Sequence, residues 1–425
     1  MKLDVQQSTM SPVLPFDIIA LIIDIVAENE DTNLLKELAL VSHLFHQICS
    51  KHLFATINLH DADPNYPDLY PSSKNGFVKL LTSRPDVVRY IRKLTYNVRI
   101  GSEYDGDGLL TYRNDFDDRL LSSILPNFLR TISRLNFLAI YANDVEWSIL
   151  DSSLISAFLH LMHLPSINHI ELSSIQNFPL SSLTSSVNLL RLDICDMKCT
   201  DPPPEEEFVV QSEMMPKIRE FDVSESSLMT MKLLHSKLRD GRPAFNFIDL
   251  RRLSTCLEDK QIVRYFLQNA KSLDKLHLSV GCGQTLEGLH DILSPRARTL
   301  KVLDLTGCLL KSSVHEHSIH IPFVGLCEEL EAMAGHNVLE SLSFEVYLFT
   351  RDAEEFVGSI MQNVEKVLVK PGWSALKQVS FKVPITDYML NGEGLSEELQ
   401  SLPDKYLNHL PKLESVAFSY SVYIT

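Results

Sequence analysis

The chain has 425 residues, of which 45% are hydrophobic, and it carries a formal net charge of −16. This composition is typical of a globular protein with one large domain or two to three smaller ones, and it disfavours disorder. The acidic balance argues against broad binding to nucleic acid or to an anionic membrane, since both need a basic surface.

The seven cysteines are scattered along the chain. Their number is odd, and a chain of this length does not need disulfide staples, so we expect reduced thiols and a cytoplasmic or nuclear location. The N-terminus is polar and lacks the apolar run of a signal peptide. No segment approaches ~18 uninterrupted apolar residues, so no membrane span is expected.

Residues 14–28, LPFDIIALIIDIVAE, predict a first helix with more apolar surface than one contact needs. Its three acidic side chains fall in one narrow sector of the helix, and apolar residues fill nearly all the rest. A surface helix needs an apolar stripe only slightly wider than about 100°. This helix therefore lies in a large core, or it packs on its neighbours with one face and on a second protein with the other.

Two more short helices follow, over LLKELAL and HLFHQICSKHLF. Asp31, Thr32 and Asn33 offer caps for the first of them, and Ser42 can cap the second. Three short helices in about 45 residues make a very small core, which would struggle to cover all of their apolar surface.

The pattern LP-x-x-I-I…L-L-x-x-A-L-V-S-x-x-F…C-x-x-x-L-F over residues 11–60 resembles an F-box, although Phe45 and Phe54 stand where many members carry Trp. In that family the three helices dock on the Skp-type adaptor of a cullin–RING ubiquitin ligase, which would cover the extra apolar face. The alternative is an ordinary helical cap on the next domain, which needs only one apolar face. The resemblance assigns adaptor binding to Leu14, Pro15, Ile18, Ile19, Leu21, Ile22, Ile25, Leu35, Leu38, Val41 and Phe45.

Residues 61–83 predict a linker, because the stretch from 60 to 76 carries three prolines. From residue 84 to 425 the phrase apolar-x-x-apolar-x-apolar recurs, and most intervals in the middle of the chain lie between 27 and 31 residues. These intervals are close to the ~20–29-residue period of leucine-rich repeats. The fourth position of the phrase falls at Leu94, Leu138, Ile170, Leu190, Phe221, Ile248, Leu276, Leu303, Leu342, Val379 and Val416.

Each phrase ends in an in–out–in alternation, which predicts a strand with one buried side, and helical patterns separate the phrases. The series resembles leucine-rich repeats of the helix-rich kind. The predicted fold class is therefore α/β: a three-helix F-box, then a solenoid of about eleven irregular repeats with parallel strands on the concave face and helices on the convex face. The alternative is a doubly wound α/β domain, but its G-x-G-x-x-G motif is missing.

Function on a solenoid usually lies on the concave strand face. The positions predicted to point outward there carry an acidic band with aromatic anchors beside it. We expect this face to bind a protein substrate with a basic segment; the alternative is a merely solvated face. The predicted substrate-binding residues are Phe137, Tyr141, Glu171, Asp193, Glu220, Asp222, Phe247, Asp249, Arg251 and Asp304.

The sequence lacks the catalytic and metal-binding motifs that we searched for. We find no G-x-S-x-G and no H-E-x-x-H. Glu103, Asp105 and Asp107 alternate like calcium ligands, but Asn114 stands where a calcium loop needs its bidentate Glu. The HEHSIH stretch at 315–320 lacks the repeated spacing of a zinc site. No enzymatic activity, cofactor or metal is expected.

Together these patterns predict a non-enzymatic substrate-recognition subunit of a Skp–cullin–F-box E3 ubiquitin ligase. Its partners would be the Skp-type adaptor, through it a cullin–RING ligase, and a protein substrate, with no nucleic acid and no membrane. The alternative is a leucine-rich-repeat interaction scaffold that is not linked to ubiquitin transfer. A hydrolase with dispersed catalytic residues on an α/β fold is a third class.

Overall fold

The computed structural model is an α/β protein in which parallel strands alternate with helices. The chain divides into two compact units, one formed by residues 1–145 with 149–167 and the other by 146–148 with 168–425. The structure describes residues 15–29, 31–60, 72–98, 101–104, 110–113, 119–199, 209–210, 215–238, 240–281, 283–311, 319–349, 354–385, 395–413 and 415–424.

The first unit begins with three helices at the predicted places. Asp31 Oδ1 accepts a hydrogen bond from the Leu34 N–H (2.9 Å), and Ser42 Oγ accepts one from the Phe45 N–H (3.3 Å), so both expected caps form. The elements of this unit are α1 Phe16–Glu28, α2 Thr32–Ala39, α3 His43–Leu53, β1 Thr56–Leu59, α4 Ser73–Ser83, β2 Lys93–Val98, β3 Gly101–Tyr104, β4 Leu110–Arg113, α5 Arg119–Thr131, β5 Phe137–Glu146 and α6 Ser152–Met162.

Helices α1–α3 share a small core. Asp24 on α1 joins it to the end of α3, where its Oδ1 lies 3.1 Å from Lys51 Nζ and 2.7 Å from His52 Nε2. One side of α1 therefore contacts α3 through the polar interactions of Asp24. Another side packs against α2 and α3 through apolar side chains. The buried core residues are Ile19, Ile23, Leu35, Ile48 and Cys49.

The strands of the first unit lie in the order β1–β2–β5 and are all parallel, with Leu94 of β2 in register with Leu138 of β5. Strands β3 and β4 form a separate antiparallel pair. Within the predicted linker 61–83, residues 61–71 lie outside the described part, whereas α4 is a packed helix that buries Phe77 and Leu81.

In its described residues the second unit continues the alternation with nine parallel strands, in the order β6–β7–β9–β11–β12–β13–β15–β16–β17. Among the described residues, no helix of either unit is both long and apolar enough to cross a membrane. The elements are β6 His169–Gln176, β7 Arg191–Cys195, β8 Val209–Val210, β9 Glu220–Ser224, α7 Ser227–His235, β10 Lys237–Leu238, β11 Arg252–Cys256, α8 Lys260–Asn269, β12 Lys275–Val280, α9 Leu289–Leu293, β13 Val302–Lys311, β14 Ile319–His320, α10 Leu326–Met333, β15 Ser341–Phe349, α11 Glu354–Leu368, β16 Gln378–Ile385, α12 Leu395–Gln400, α13 Leu402–Tyr406 and β17 Ala417–Ile424.

One buried position per strand runs across the second unit as a ladder of apolar side chains. A single strand and helix cannot bury this position alone, but stacked neighbours can. The first eight members are at most 1% exposed. In register they are Ile170, Leu192, Phe221, Leu253, Leu276, Leu303, Leu342, Val379 and Phe418.

The recurring phrase predicted eight of its eleven reference positions correctly, and the register corrects Leu190 to Leu192, Ile248 to Leu253 and Val416 to Phe418. The error at Ile248 has a local cause. Asn246 Oδ1 accepts a hydrogen bond from the Ile248 N–H (2.9 Å) and makes a turn there, and the strand begins only at Arg252.

Glu365 on α11 fixes the segment that leads into the last strand. Its Oε1 accepts hydrogen bonds from the backbone N–H groups of Asn408 (2.9 Å), His409 (2.7 Å) and Leu410 (2.8 Å). Burial opposes ionisation of this carboxyl, but the three N–H donors outweigh it and hold the pKa of Glu365 below its ordinary value.

We expect Glu365→Gln to lower the free energy of unfolding at pH 7 by about 1–3 kcal/mol, because an amide accepts these bonds less well than a carboxylate. A lowered pKa in the folded state makes this contribution complete above the ordinary glutamate pKa of 4.5, and it is lost as the pH falls below that value. Urea unfolding from pH 7 to pH 4 measures it. Glu355→Gln on the exposed side of α11 is the control, and an equal loss in both variants would contradict the assignment.

Candidate functional site

Helices α1–α3 leave a second apolar surface uncovered. On α1, Ile18, Leu21, Ile22 and Ile25 follow the i, i+3, i+4, i+7 spacing of one helix face and are exposed, Leu21 to 55%. Nine of the nineteen large apolar side chains that are exposed in the described residues fall between positions 16 and 44. We name them the helical apolar surface: Phe16, Ile18, Leu21, Ile22, Ile25, Leu34, Leu40, Val41 and Leu44.

The residues predicted to bind an adaptor divide between this surface and the core. Ile19 and Leu35 are buried in the small core, and Leu38 and Phe45 pack partly against it. Leu14 lies outside the described residues. The remaining six are exposed: Pro15, Ile18, Leu21, Ile22, Ile25 and Val41.

The predicted adaptor-binding residues lack four members of the helical apolar surface, namely Phe16, Leu34, Leu40 and Leu44. Leu40 and Val41 occupy the turn between α2 and α3, where no helical period indicates a direction. A signal was present in the chain, since the small core has no room for every apolar residue of three short helices.

A polar strand face, formed by the outward residues of β6, β7, β9, β11, β12 and β13, is the second candidate surface. Register places Glu171, Asp193, Asp222, Ser254, His277 and Asp304 in one row across these six neighbouring strands. The preceding row holds His169, Arg191, Glu220, Arg252, Lys275 and Val302. The structure therefore brings five of the predicted substrate-binding carboxylates together on two adjacent rows.

Most of these carboxylates are paired within the face. Asp193 Oδ2 lies 2.9 Å from His169 Nε2 and 2.8 Å from Arg191 Nη2. Arg191 Nη1 also lies 3.6 Å from Glu220 Oε2, and Lys275 Nζ lies 3.3 Å from Asp304 Oδ2. The acidic band expected from the sequence is thus an ion-pair network with a weaker negative potential than five bare carboxylates would have.

Asp193 and Asp222 respond to this network in opposite ways. Burial opposes ionisation of Asp193, but hydrogen bonds with His169 and Arg191 outweigh it and lower the pKa of that carboxyl. Burial raises the pKa of Asp222, and the nearby Asp193 carboxylate adds to the increase, against a hydrogen bond from Ser254. The face therefore stabilises the charged form of Asp222 less well than that of Asp193.

Three other predicted substrate-binding residues lie off the polar strand face. Phe247 is buried and packs edge-on against Phe266, with ring centroids 5.1 Å apart, so it is not an exposed anchor. Asp249 and Arg251 precede β11 instead of lying within it. All three follow from the misplaced phrase at Ile248. Phe137 and Tyr141 lie on β5 of the first unit and are half-buried.

One group of side chains has the composition of a metal site. Ligand atoms of His169, Glu171 and Asp193 lie within 4.8 Å of one another. However, Arg191 Nε lies 3.1 Å and 3.0 Å from the two Asp193 oxygens, and this fixed positive charge disfavours a bound cation. The calcium-like Asp105 and Asp107 lie outside the described residues.

Comparisons with known proteins do not assign the chain to a family. No protein-family model matches the chain, and no curated protein matches it. Among solved structures, the chain resembles a structural-genomics target protein from Bacteroides fragilis, with a TM-score of 0.29 and 11% identity over 83% of this chain and 84% of that one. Similarity at this level supports no conclusion about fold or function.

We expect Asp222→Asn to raise the free energy of unfolding at pH 7, because the wild-type carboxylate is held ionised against burial. A raised pKa in the folded state means that this gain is present at neutral pH and disappears as the pH falls through that pKa towards the ordinary value of 3.8. Urea unfolding at pH 7 and pH 4 measures both effects.

Asp193→Asn is the matched control for this prediction. It removes a paired carboxylate from the same row, so we expect it to lower the free energy of unfolding by about 1–3 kcal/mol at pH 7. A destabilised Asp222→Asn variant at pH 7 would show that the Asp222 charge is compensated after all.

Proposed function

We propose that this protein is the substrate-recognition subunit of a Skp–cullin–F-box E3 ubiquitin ligase. Helices α1–α3 act as an F-box that binds the Skp-type adaptor, and the repeating strands act as a leucine-rich-repeat solenoid that binds a protein substrate. The observation that carries the proposal is the helical apolar surface.

This surface favours a partner protein over an ordinary helical cap. A cap needs one apolar face, and α1 already supplies Ile19 and Ile23 to the small core. A second stripe on the same helix, from Ile18 to Ile25, remains exposed. Large exposed apolar patches on soluble proteins usually mark interaction sites, and covering one large aliphatic side chain contributes about 1.5–3 kcal/mol.

The repeat unit supports the second half of the proposal. Its buried ladder places one apolar residue per strand in register, which is the packing that strand-plus-helix repeats need. The polar strand face offers Asp222 to a basic segment of the substrate. Holding the substrate beside the charged conjugating enzyme would raise the effective concentration of its lysines, so this chain needs no catalytic group of its own.

The second candidate is a repeat scaffold that binds a partner without ubiquitin transfer. It uses the same polar strand face but assigns no adaptor to the helical apolar surface. Binding of a Skp-type adaptor therefore separates the two functions.

We expect Leu21→Asp and Ile25→Asp each to weaken capture of a purified Skp-type adaptor by over a hundredfold. A charge forced into a dry helix contact costs several kcal/mol, and both side chains are exposed in the free protein, so the fold itself should not suffer. Isothermal titration calorimetry measures the affinity, and circular dichroism with thermal melting checks the fold.

Leu228→Asp on α7 is the matched control for these variants, since Leu228 is 56% exposed against 55% for Leu21. It should leave adaptor capture unchanged. If wild type does not bind the adaptor, or if all three variants bind it as wild type does, the F-box assignment is wrong and the scaffold function is favoured.

A further inference from the structure

We infer that the edge of the second unit at which β9, β11 and β12 begin binds an acidic segment of a partner protein. This inference rests on the proposed function only in taking that partner to be the substrate. We name the surface the basic edge and define it by Lys217, Arg219, Arg251, Arg252, Lys271 and Lys275.

The backbone places these cations side by side. The Arg251 N–H donates to the Arg219 carbonyl (2.7 Å), and the Lys275 N–H donates to the Arg251 carbonyl (3.0 Å). Arg252 is in register with Lys275 on the neighbouring strand. The Lys271 N–H donates to the carbonyl of Ile248 in the turn before β11 (3.1 Å). The six residues therefore share one end of three adjacent strands.

The charge of this edge is opposite to that of the chain. Residues 215–220, 246–252 and 271–275 hold six cations against the three carboxylates Glu220, Asp249 and Asp274, a net charge of +3 in a protein at −16. Lys275 is paired with Asp304 (3.3 Å), and Glu220 is shared with Arg191 on β7. The excess of positive charge is therefore concentrated at Arg219, Arg251 and Lys271, and it is smaller beside Lys275, which already has a carboxylate partner.

Apart from Lys275, the cations of the basic edge make no side-chain hydrogen bond or ion pair with the described residues. These five are Lys217, Arg219, Arg251, Arg252 and Lys271. Arg219 and Arg251 stand at matching positions just before the neighbouring strands β9 and β11, whose backbones lie about 4.8 Å apart, and like charges held side by side repel. A carboxylate placed between them would remove the repulsion. The planar guanidinium fork donates two parallel hydrogen bonds to a carboxylate, so two arginines suit such a ligand.

Two exposed aliphatic side chains stand among the cations. Leu190, whose carbonyl accepts the Arg219 N–H at 2.7 Å, is 38% exposed, and Ile248 is 52% exposed. An acidic segment that also carries apolar residues would cover them and gain the free energy of their burial. We therefore expect Asp and Glu to alternate with Leu or Ile in the bound segment.

These features favour a protein segment over a nucleic acid. Single-stranded nucleic acids bind on exposed aromatic side chains, whereas Phe247, the aromatic residue beside Ile248, is buried. Three adjacent strands span only about 10 Å, which is a short footprint for a polyanion approaching a chain of net charge −16.

The test uses fluorescence anisotropy with the full chain and a labelled twelve-residue peptide in which Glu-Asp pairs alternate with Leu. We expect the triple variant Arg219→Gln, Arg251→Gln, Lys271→Gln to bind this peptide at least about tenfold more weakly than wild type at low salt. The control is the triple variant Lys36→Gln, Arg264→Gln, Lys366→Gln, which removes three exposed cations from helices and should bind within twofold of wild type.

Two further probes separate the alternatives. A peptide of the same pattern with Lys in place of the acidic residues, and an oligouridine RNA of the same length, should each bind at least about tenfold more weakly than the acidic peptide. Equal weakening in both triple variants, tighter binding of the RNA, or no acidic-peptide binding by wild type would overturn the inference. Adaptor capture by the same triple variant should be unchanged, so a failure here is distinguishable from a failure of the F-box assignment.

Discussion

The buried apolar ladder is the constraint on which the second unit depends. Each strand contributes one residue to it, from Ile170 on β6 to Phe418 on β17, and each member is covered only when the neighbouring strands are in place. The backbone hydrogen bonds between parallel strands likewise form only when the neighbouring strands are in place. Register is therefore fixed along the whole unit, because a slip by one residue would expose the apolar side of a strand.

Fixed register also decides how charges meet on the opposite side of the strands. It places Arg191 within reach of Glu220 on β9, and Lys275 within reach of Asp304 on β13. The same register sets Arg219 beside Arg251, and neither side chain makes a hydrogen bond or ion pair with the described residues. One geometric rule thus yields a polar strand face in which most carboxylates are paired and a basic edge in which most cations are not, and unpaired charge has free energy to gain from a ligand.

In helices α1–α3 the constraint is the small size of the core. Helix α1 has 13 residues and α3 has 11, and a cluster of three short helices is too small to bury all of their apolar side chains. Of α1, only Ile19 and Ile23 are buried in the core. The stripe from Ile18 to Ile25 is left for another contact. Under the proposed function, the helical apolar surface binds the adaptor and the second unit binds the substrate, so each region uses a surface that its own packing leaves unsatisfied.

The amino-acid sequence by itself determined the local elements. The caps at Asp31 and Ser42 and the in–out–in alternation of eight phrases depend on residues within one helix turn or a few strand positions, so they could be predicted directly. The α/β class and the parallel strands followed from the same pattern. At Ile248 the apolar spacing of a strand falls in a turn, so local spacing was not sufficient to place the strand that begins at Arg252.

Only the tertiary structure decided which of those positions share a surface. Phe247 became a core residue because Phe266 and Phe221, distant in sequence, pack around it. The acidic band became an ion-pair network because register brought in cations from neighbouring strands. Which face of α1 stays exposed was likewise set by α2 and α3. These outcomes depend on contacts between residues far apart in the chain, and a short sequence pattern does not encode them.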